Sequence, residues 1–193
     1  MRRDGSILNA PGWDEATGLW LEMDRDFILP PLAERPTIDD ARRALELLKS
    51  LIRGWPWTSE TDKAVALAAI LTAVLRGAFQ MAPVFLLVAP KASSGKSFFV
   101  DLVAHIVTGR WAPVISLNER REEADKQLGA LLLEGPPIIS LDNLMQDLGG
   151  ALLNQMTTQP TVKIRILGKS KAPECEWRGC YSPPATIERR RGR

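Results

Sequence analysis

The sequence predicts an α/β fold, and three observations carry that prediction. The apolar run Val84-Phe85-Leu86-Leu87-Val88-Ala89 leads directly into Pro90-Lys91-Ala92-Ser93-Ser94-Gly95-Lys96-Ser97, which opens the apolar stretch Phe98-Phe99-Val100-Asp101-Leu102-Val103. This is strand, tight loop, helix, the context that a phosphate-binding P-loop requires. A second apolar run, Pro136-Pro137-Ile138-Ile139-Ser140-Leu141, ends in Asp142-Asn143. Around both, segments of helical spacing alternate with short strand-like runs.

The elements follow in chain order. Pro11 to Gly18 is rich in turn residues and Leu19-Trp20-Leu21 is apolar, so residues 1–36 read as a hairpin or irregular region. That region closes on the proline-rich linker Leu29-Pro30-Pro31-Leu32-Ala33-Glu34-Arg35-Pro36. Residues 37–80 read as a helical pair. Thr37 caps the first helix, Asp39 and Asp40 suit its first turn, and it ends near Gly54. Trp55-Pro56-Trp57 is a break, and the second helix runs from about Glu60 to Arg76.

Residues 81–179 form the expected core. Its strand from Val84 and its loop precede a helix that runs to Thr108 and stops at Gly109. Val114 to Leu117 reads as a strand, Glu119 to Leu133 as a helix, and the Asp142 strand follows two helix-breaking prolines. Gly149 to Thr158 is a short helix, and Thr161-Val162-Lys163-Ile164-Arg165-Ile166-Leu167 alternates as a strand. A second Gly-Lys-Ser, Gly168-Lys169-Ser170, is followed by Pro173 and a polar stretch, and reads as a turn.

The loop chemistry is specific. Small residues at Ala92, Ser93, Ser94 and Gly95 let successive backbone N–H groups face one anion, and the helix N-terminus adds partial positive charge. Lys96 reaches the β- and γ-phosphates of a nucleotide, and Ser97 ligates Mg²⁺. Pro90 stands where the first glycine usually does, at a position that mainly turns the chain out of the strand. Asp142 is placed to hold Mg²⁺ through water. Asn143 occupies the position of the glutamate that polarises the attacking water in many ATPases. An amide is not a base but can orient a water, so ATP binding with impaired hydrolysis is expected.

Composition bounds the alternatives. Of 193 residues, 45% are hydrophobic and 25% charged, which fits a globular chain. The longest apolar stretch, Ala64 to Leu75, is too short to cross a bilayer, and no signal peptide opens the chain, so a cytoplasmic protein without membrane contact is expected. Cys175 and Cys180 lack further ligands nearby for zinc and read as free thiols. His105 reads as a packed helix residue. The net charge is +2, but the last six residues hold four arginines and one glutamate, leaving the rest at −1. The body is therefore not a basic nucleic-acid binder by composition.

These motifs together resemble the P-loop ATPase module of phage and mobile-element helicase–primase-like proteins, related to superfamily 3 helicases and the AAA+ class. The residues that carry the resemblance are Ala89-Pro90 to Lys96-Ser97 with Val100-Asp101, Thr108-Gly109-Arg110, Pro113-Val114-Ile115, Pro137 to Asn143 and Val162 to Ser170. It extends to Asp4-Gly5-Ser6 and Pro11-Gly12-Trp13 and covers most of the chain to about Gly179. It implies a three-layer P-loop sandwich with a mostly parallel sheet, ATP and Mg²⁺ as ligands, a homo-oligomeric ring, and a role in moving or opening DNA. It further implies that a hairpin after the Asp142 strand touches DNA phosphates, with Lys163, Arg165, Lys169 and Lys171 as its candidates.

The chain departs from that family at residues 180–193. Similar proteins continue with an apolar strand ending in Phe-Ala-Thr-Gly-Asn-Asn, whose asparagine senses the γ-phosphate. This sequence reads Cys180-Tyr181-Ser182-Pro183-Pro184-Ala185-Thr186-Ile187 and then a basic tail. A shifted reading frame through the same codons can spell the missing motif, so the tail is expected to be non-native and the ATPase core incomplete. Proline pairs do not belong in a central strand, so the two strands flanking the missing one are expected to lack a ladder partner. The reading from another class is a non-catalytic interaction protein that binds or poisons intact oligomeric relatives. A small-molecule kinase is disfavoured, because no arginine-rich lid follows the loop helix.

Overall fold

A computed structural model describes residues 2, 4–24, 26–28, 30–31, 33, 35–79, 81–89, 91, 94–117, 120–142, 150–164, 172–176, 180–182 and 184–186. The chain opens with an antiparallel hairpin of β1 (Gly12–Asp14) and β2 (Leu19–Leu21), in which Trp13 stands opposite Trp20. One carboxylate organises this end. Asp14 accepts from Arg2 Nε at 3.0 Å and Nη2 at 2.8 Å, and from the Thr17 backbone N–H at 3.0 Å. The Arg2 bonds, then those of Thr17, hold the Asp14 carboxyl down to about 2.

Two helices follow. α1 (Ile38–Leu51) begins with a capping box: the Thr37 hydroxyl accepts from Asp40 N–H, and the Asp40 carboxylate accepts from Thr37 N–H at 2.8 Å. α2 (Glu60–Val74) is capped by Ser59, which accepts from Asp62 N–H at 3.1 Å. It stops two residues short of the expected end, and a single 3₁₀ turn, Arg76–Ala78, continues it. No residue of α1 is fully buried, whereas Ala66, Ala69, Ile70 and Ala73 of α2 are.

The remaining elements alternate. β3 (Leu87–Ala89) leads to α3 (Lys96–Thr108), which stops at Gly109 in the left-handed conformation. Then come β4 (Val114–Ser116), α4 (Arg121–Glu134), β5 (Ile138–Asp142) and α5 (Ala151–Thr158). Four short strands close the order: β6 (Thr161–Lys163), β7 (Glu174–Glu176), β8 (Cys180–Ser182) and β9 (Pro184–Thr186). β5 pairs in parallel with β4 on one side and β8 on the other, and β3 pairs in parallel with β9. β6 and β7 form an antiparallel hairpin, extended by the bond from Ile164 N–H to the Pro173 carbonyl at 3.0 Å. The mixed α/β class is what the sequence predicts, but among the described residues the strands form four small ladders where a mostly parallel sheet was expected.

The expectation that β3 and β5 lack a partner is corrected. β9 also lies against β5, so β8 and β9 together stand between β5 and β3. The physical reason is local. Pro184 is the first residue of β9, a place where a missing N–H is tolerated, and each strand is only three residues long.

Two cores flank β5. Ile138 belongs to a cluster with Ile52, Ile70 and Phe99 from the α2 and α3 side. Ile139 and Leu141 belong to a second cluster with Leu128 of α4, Leu153 and Met156 of α5, and Val162. Alternation along a strand sends successive residues to opposite faces, so helices cover β5 on both sides. Gly129 of α4 lets the hairpin come close, since a Cβ there would lie 2.9 Å from Ile164 Cγ2.

Two predictions follow from these contacts. Gly129→Ala gains about 1 kcal/mol of helix propensity but overpacks a site where such insertions cost about 1–3 kcal/mol. Net destabilisation is expected in denaturant unfolding, and a more stable variant would contradict the close approach. Asp14 has a folded pKa below its ordinary 3.8, so its stabilising contribution is complete above that value and is lost as pH falls toward about 2. Asp14→Asn should flatten the acid limb of the unfolding curve over that window.

Candidate functional site

The loop between β3 and α3 is built by a strand that ends and a helix that begins within seven residues. Gly95 is the N-cap of α3 at φ 84°, a left-handed conformation that favours glycine. No side chain caps this end, and its first turn holds no carboxylate. The first N–H groups of α3 therefore have no intrahelical acceptor, and the positive end of the dipole is not offset locally. Lys96 is the first helical residue, half-buried, and its Nζ lies 3.4 Å from Ser94 Oγ, so the side chain turns back over the loop. Ser97 is exposed on the next position, and Lys91 is exposed on the way in.

Asp142 ends β5, level with Ser116 of β4. β4, β5 and β8 form one parallel ladder and β3 and β9 another, with β9 in contact with β5, so Ala89 and Asp142 each end a strand at the carboxyl edge of its own parallel ladder. α/β folds hold ligands at that edge. α3 packs on both β3 and β5. Pro90, Ala92, Ser93 and Asn143 lie outside the described residues, as do Arg165, Lys169 and Lys171 and the Gly168-Lys169-Ser170 turn. Lys163 is exposed on β6, and Glu174 is its cross-strand partner. An opposite charge directly across the ladder reduces the pull of Lys163 on a phosphate. Among the described residues, no group of three or more His, Cys, Asp and Glu side chains is arranged to hold a metal ion.

One participant is absent from the sequence reading. Trp55, in the break between α1 and α2, donates its indole Nε1–H to the Gly95 carbonyl at 3.3 Å. Its ring stacks on Phe98 at 5.5 Å and on Trp57 at 6.4 Å, and meets Phe99 edge-on at 5.9 Å. Trp57 is fixed by its own Nε1–H on the Ile52 carbonyl at 2.8 Å. The available signal was the pair of tryptophans around Pro56, since a plain solvated connection has no need of two large apolar rings. His105, expected to be packed, is exposed on α3, where its ring meets the edge of Trp111 at 4.4 Å and its Nδ1 lies 3.0 Å from the Asp101 carbonyl oxygen.

No family model matches the chain, and no curated protein matches it. The local geometry makes a prediction of its own. Gly95→Ala forces an L-residue into the left-handed region at about 1–2 kcal/mol, and its Cβ would stand 3.3 Å from Trp55 Nε1. A loss of stability is expected in urea unfolding. An unchanged midpoint would mean that the loop does not hold this conformation.

Proposed function

We propose that this chain binds a nucleoside triphosphate with Mg²⁺ at the loop 90–97, as the ATP-binding module of a helicase- or primase-associated ATPase of a phage or mobile element. The observation that carries the reading is the uncapped start of α3, with Lys96 at its first position and Gly95 in the left-handed conformation. It follows a strand paired in parallel with β9, whose neighbour in sequence, β8, pairs in parallel with the Asp142 strand. The two parallel ladders, β4–β5–β8 and β3–β9, with helices on both faces of β5, support the layering that a P-loop three-layer sandwich requires.

The residues present fit Mg²⁺, which takes hard oxygen ligands and keeps several waters. The Ser97 hydroxyl would hold the ion beside the phosphates, and Asp142 would hold it through water. Bound there, it neutralises charge on the β- and γ-phosphates. Lys96 and the first N–H groups of α3 bind and orient the phosphates. Asn143 orients a water without taking its proton, which makes turnover slow. The hairpin of β6 and β7 stands next in the chain, and Lys163 and the sequence-proposed Arg165, Lys169 and Lys171 are the proposed contacts to DNA phosphates, Glu174 standing opposite Lys163 in the ladder.

Calorimetric titration with MgATP tests the reading. Loss of a charged hydrogen-bonding group is worth about 10- to 100-fold in affinity, so Lys96→Ala should weaken binding by that factor. Asp142→Asn should remove the Mg²⁺ dependence. Turnover below the roughly 1 s⁻¹ at the low end of ordinary enzymes is expected. Equal affinity in the parent chain and Lys96→Ala would refute the proposal.

A further inference from the structure

We propose that Trp55 is a positioning residue for phosphate binding, acting through its indole N–H on the Gly95 carbonyl. This rests on the reading of the loop as a triphosphate site.

The Gly95 carbonyl accepts two hydrogen bonds, from Phe99 N–H at 3.0 Å and from Trp55 Nε1–H at 3.3 Å. In a trans peptide the carbonyl and the following N–H point in opposite directions. Holding the oxygen on the helix side therefore holds Lys96 N–H outward, toward the place an anion would take. Lys96 N–H is one of the groups that α3 cannot satisfy internally. Glycine is required at residue 95 for its positive φ, yet glycine also leaves the adjoining peptide free to rotate. Phe99 N–H closes the first helical bond to that oxygen, and the indole adds a second restraint on the same peptide.

The ring itself is held. Phe98 stacks on it at an interplanar angle of 15°, Phe99 abuts it at 83°, and Trp57 stacks at 26° while anchored to the Ile52 carbonyl. The donor is thus fixed by packing before any ligand arrives, which lowers the cost of ordering the loop on binding. The contact spans 40 residues of sequence, from the connection between α1 and α2 to the start of α3.

The test compares Trp55→Phe and, as a stability control remote from the loop, Leu153→Val in the full chain, by calorimetric titration with MgATP and by thermal unfolding without nucleotide. Trp55→Phe keeps a ring and loses the N–H, and one neutral hydrogen bond is worth about three- to tenfold in affinity. Trp55→Phe should weaken MgATP binding by that factor. Leu153→Val removes buried volume in the cluster of α4 and α5, away from Trp55 and the loop, so it should lower the unfolding midpoint and keep affinity within about twofold. Trp55→Tyr supplies a second ring without the indole N–H should Trp55→Phe fold poorly. Unchanged affinity in Trp55→Phe, or equal weakening in both variants, overturns the inference. Lys96→Ala separates the two readings. If it abolishes binding while Trp55→Phe does not, the positioning role fails and the loop remains a phosphate site. If it leaves binding intact, both fall.

Discussion

The burial of β5 on both faces is the constraint on which the rest depends. Ile138 lies 3% exposed in the cluster of α2 and α3, and Ile139 and Leu141 lie fully buried in the cluster of α4, α5 and the hairpin. A strand covered on both sides must have its backbone polar groups paired within a ladder, since no water reaches them. β4 and β8 provide that pairing. The same strand ends in Asp142, so a strand buried on both faces also sets where that residue's backbone stands. The two clusters touch different helices but share this one strand, which is why a change in α4 and a change in α3 bear on the same sheet edge.

The terminal strands show how little a ladder asks of side chains. Residues 180–182 and 184–186 contain a proline and no long aliphatic run, yet they pair with β5 and β3. The ladder is made by backbone groups, and a proline at a strand's first position removes only one donor. What such a segment cannot supply is the asparagine that the helicase-like resemblance leads one to expect there. Pairing and sensing are separable properties of the same place in the sheet. The first is met by backbone alone, and the second needs a particular side chain.

The legible parts of the sequence were those governed by local rules. Thr37 announces a helix cap and Gly109 a helix stop, and both are found; the strand expected over 161–167 is found at Thr161–Lys163, with residues 165–167 outside the described ones. Gly95 and Lys96 were legible for the same reason, because the strand–loop–helix context is written within about fifteen residues. Long-range matters were not legible. Nothing near Trp55 says that its indole meets Gly95, since that contact depends on how α2 packs on α3. The Arg2–Asp14 pair likewise joins residues that only the hairpin brings together. The first helix of the expected pair, α1, has no fully buried residue and leaves Leu47 66% exposed, whereas Leu48 packs against the α2 and α3 cluster.

That last feature gives the molecule a graded pattern of opening. α1 is a cantilever: it is free of full burial along its length and clamped at its end by Ile52, which is completely buried. Local opening free energies follow burial and bonding, so amide exchange should run fastest at the capped end and slow abruptly at the clamp. Fraying as far as Leu51 leaves the tryptophans in place. Going one residue further withdraws the carbonyl that holds Trp57, and with it the support of the indole that rests on Gly95. The clamp thus divides the helix into a part whose motion the loop does not register and a single residue whose motion it must.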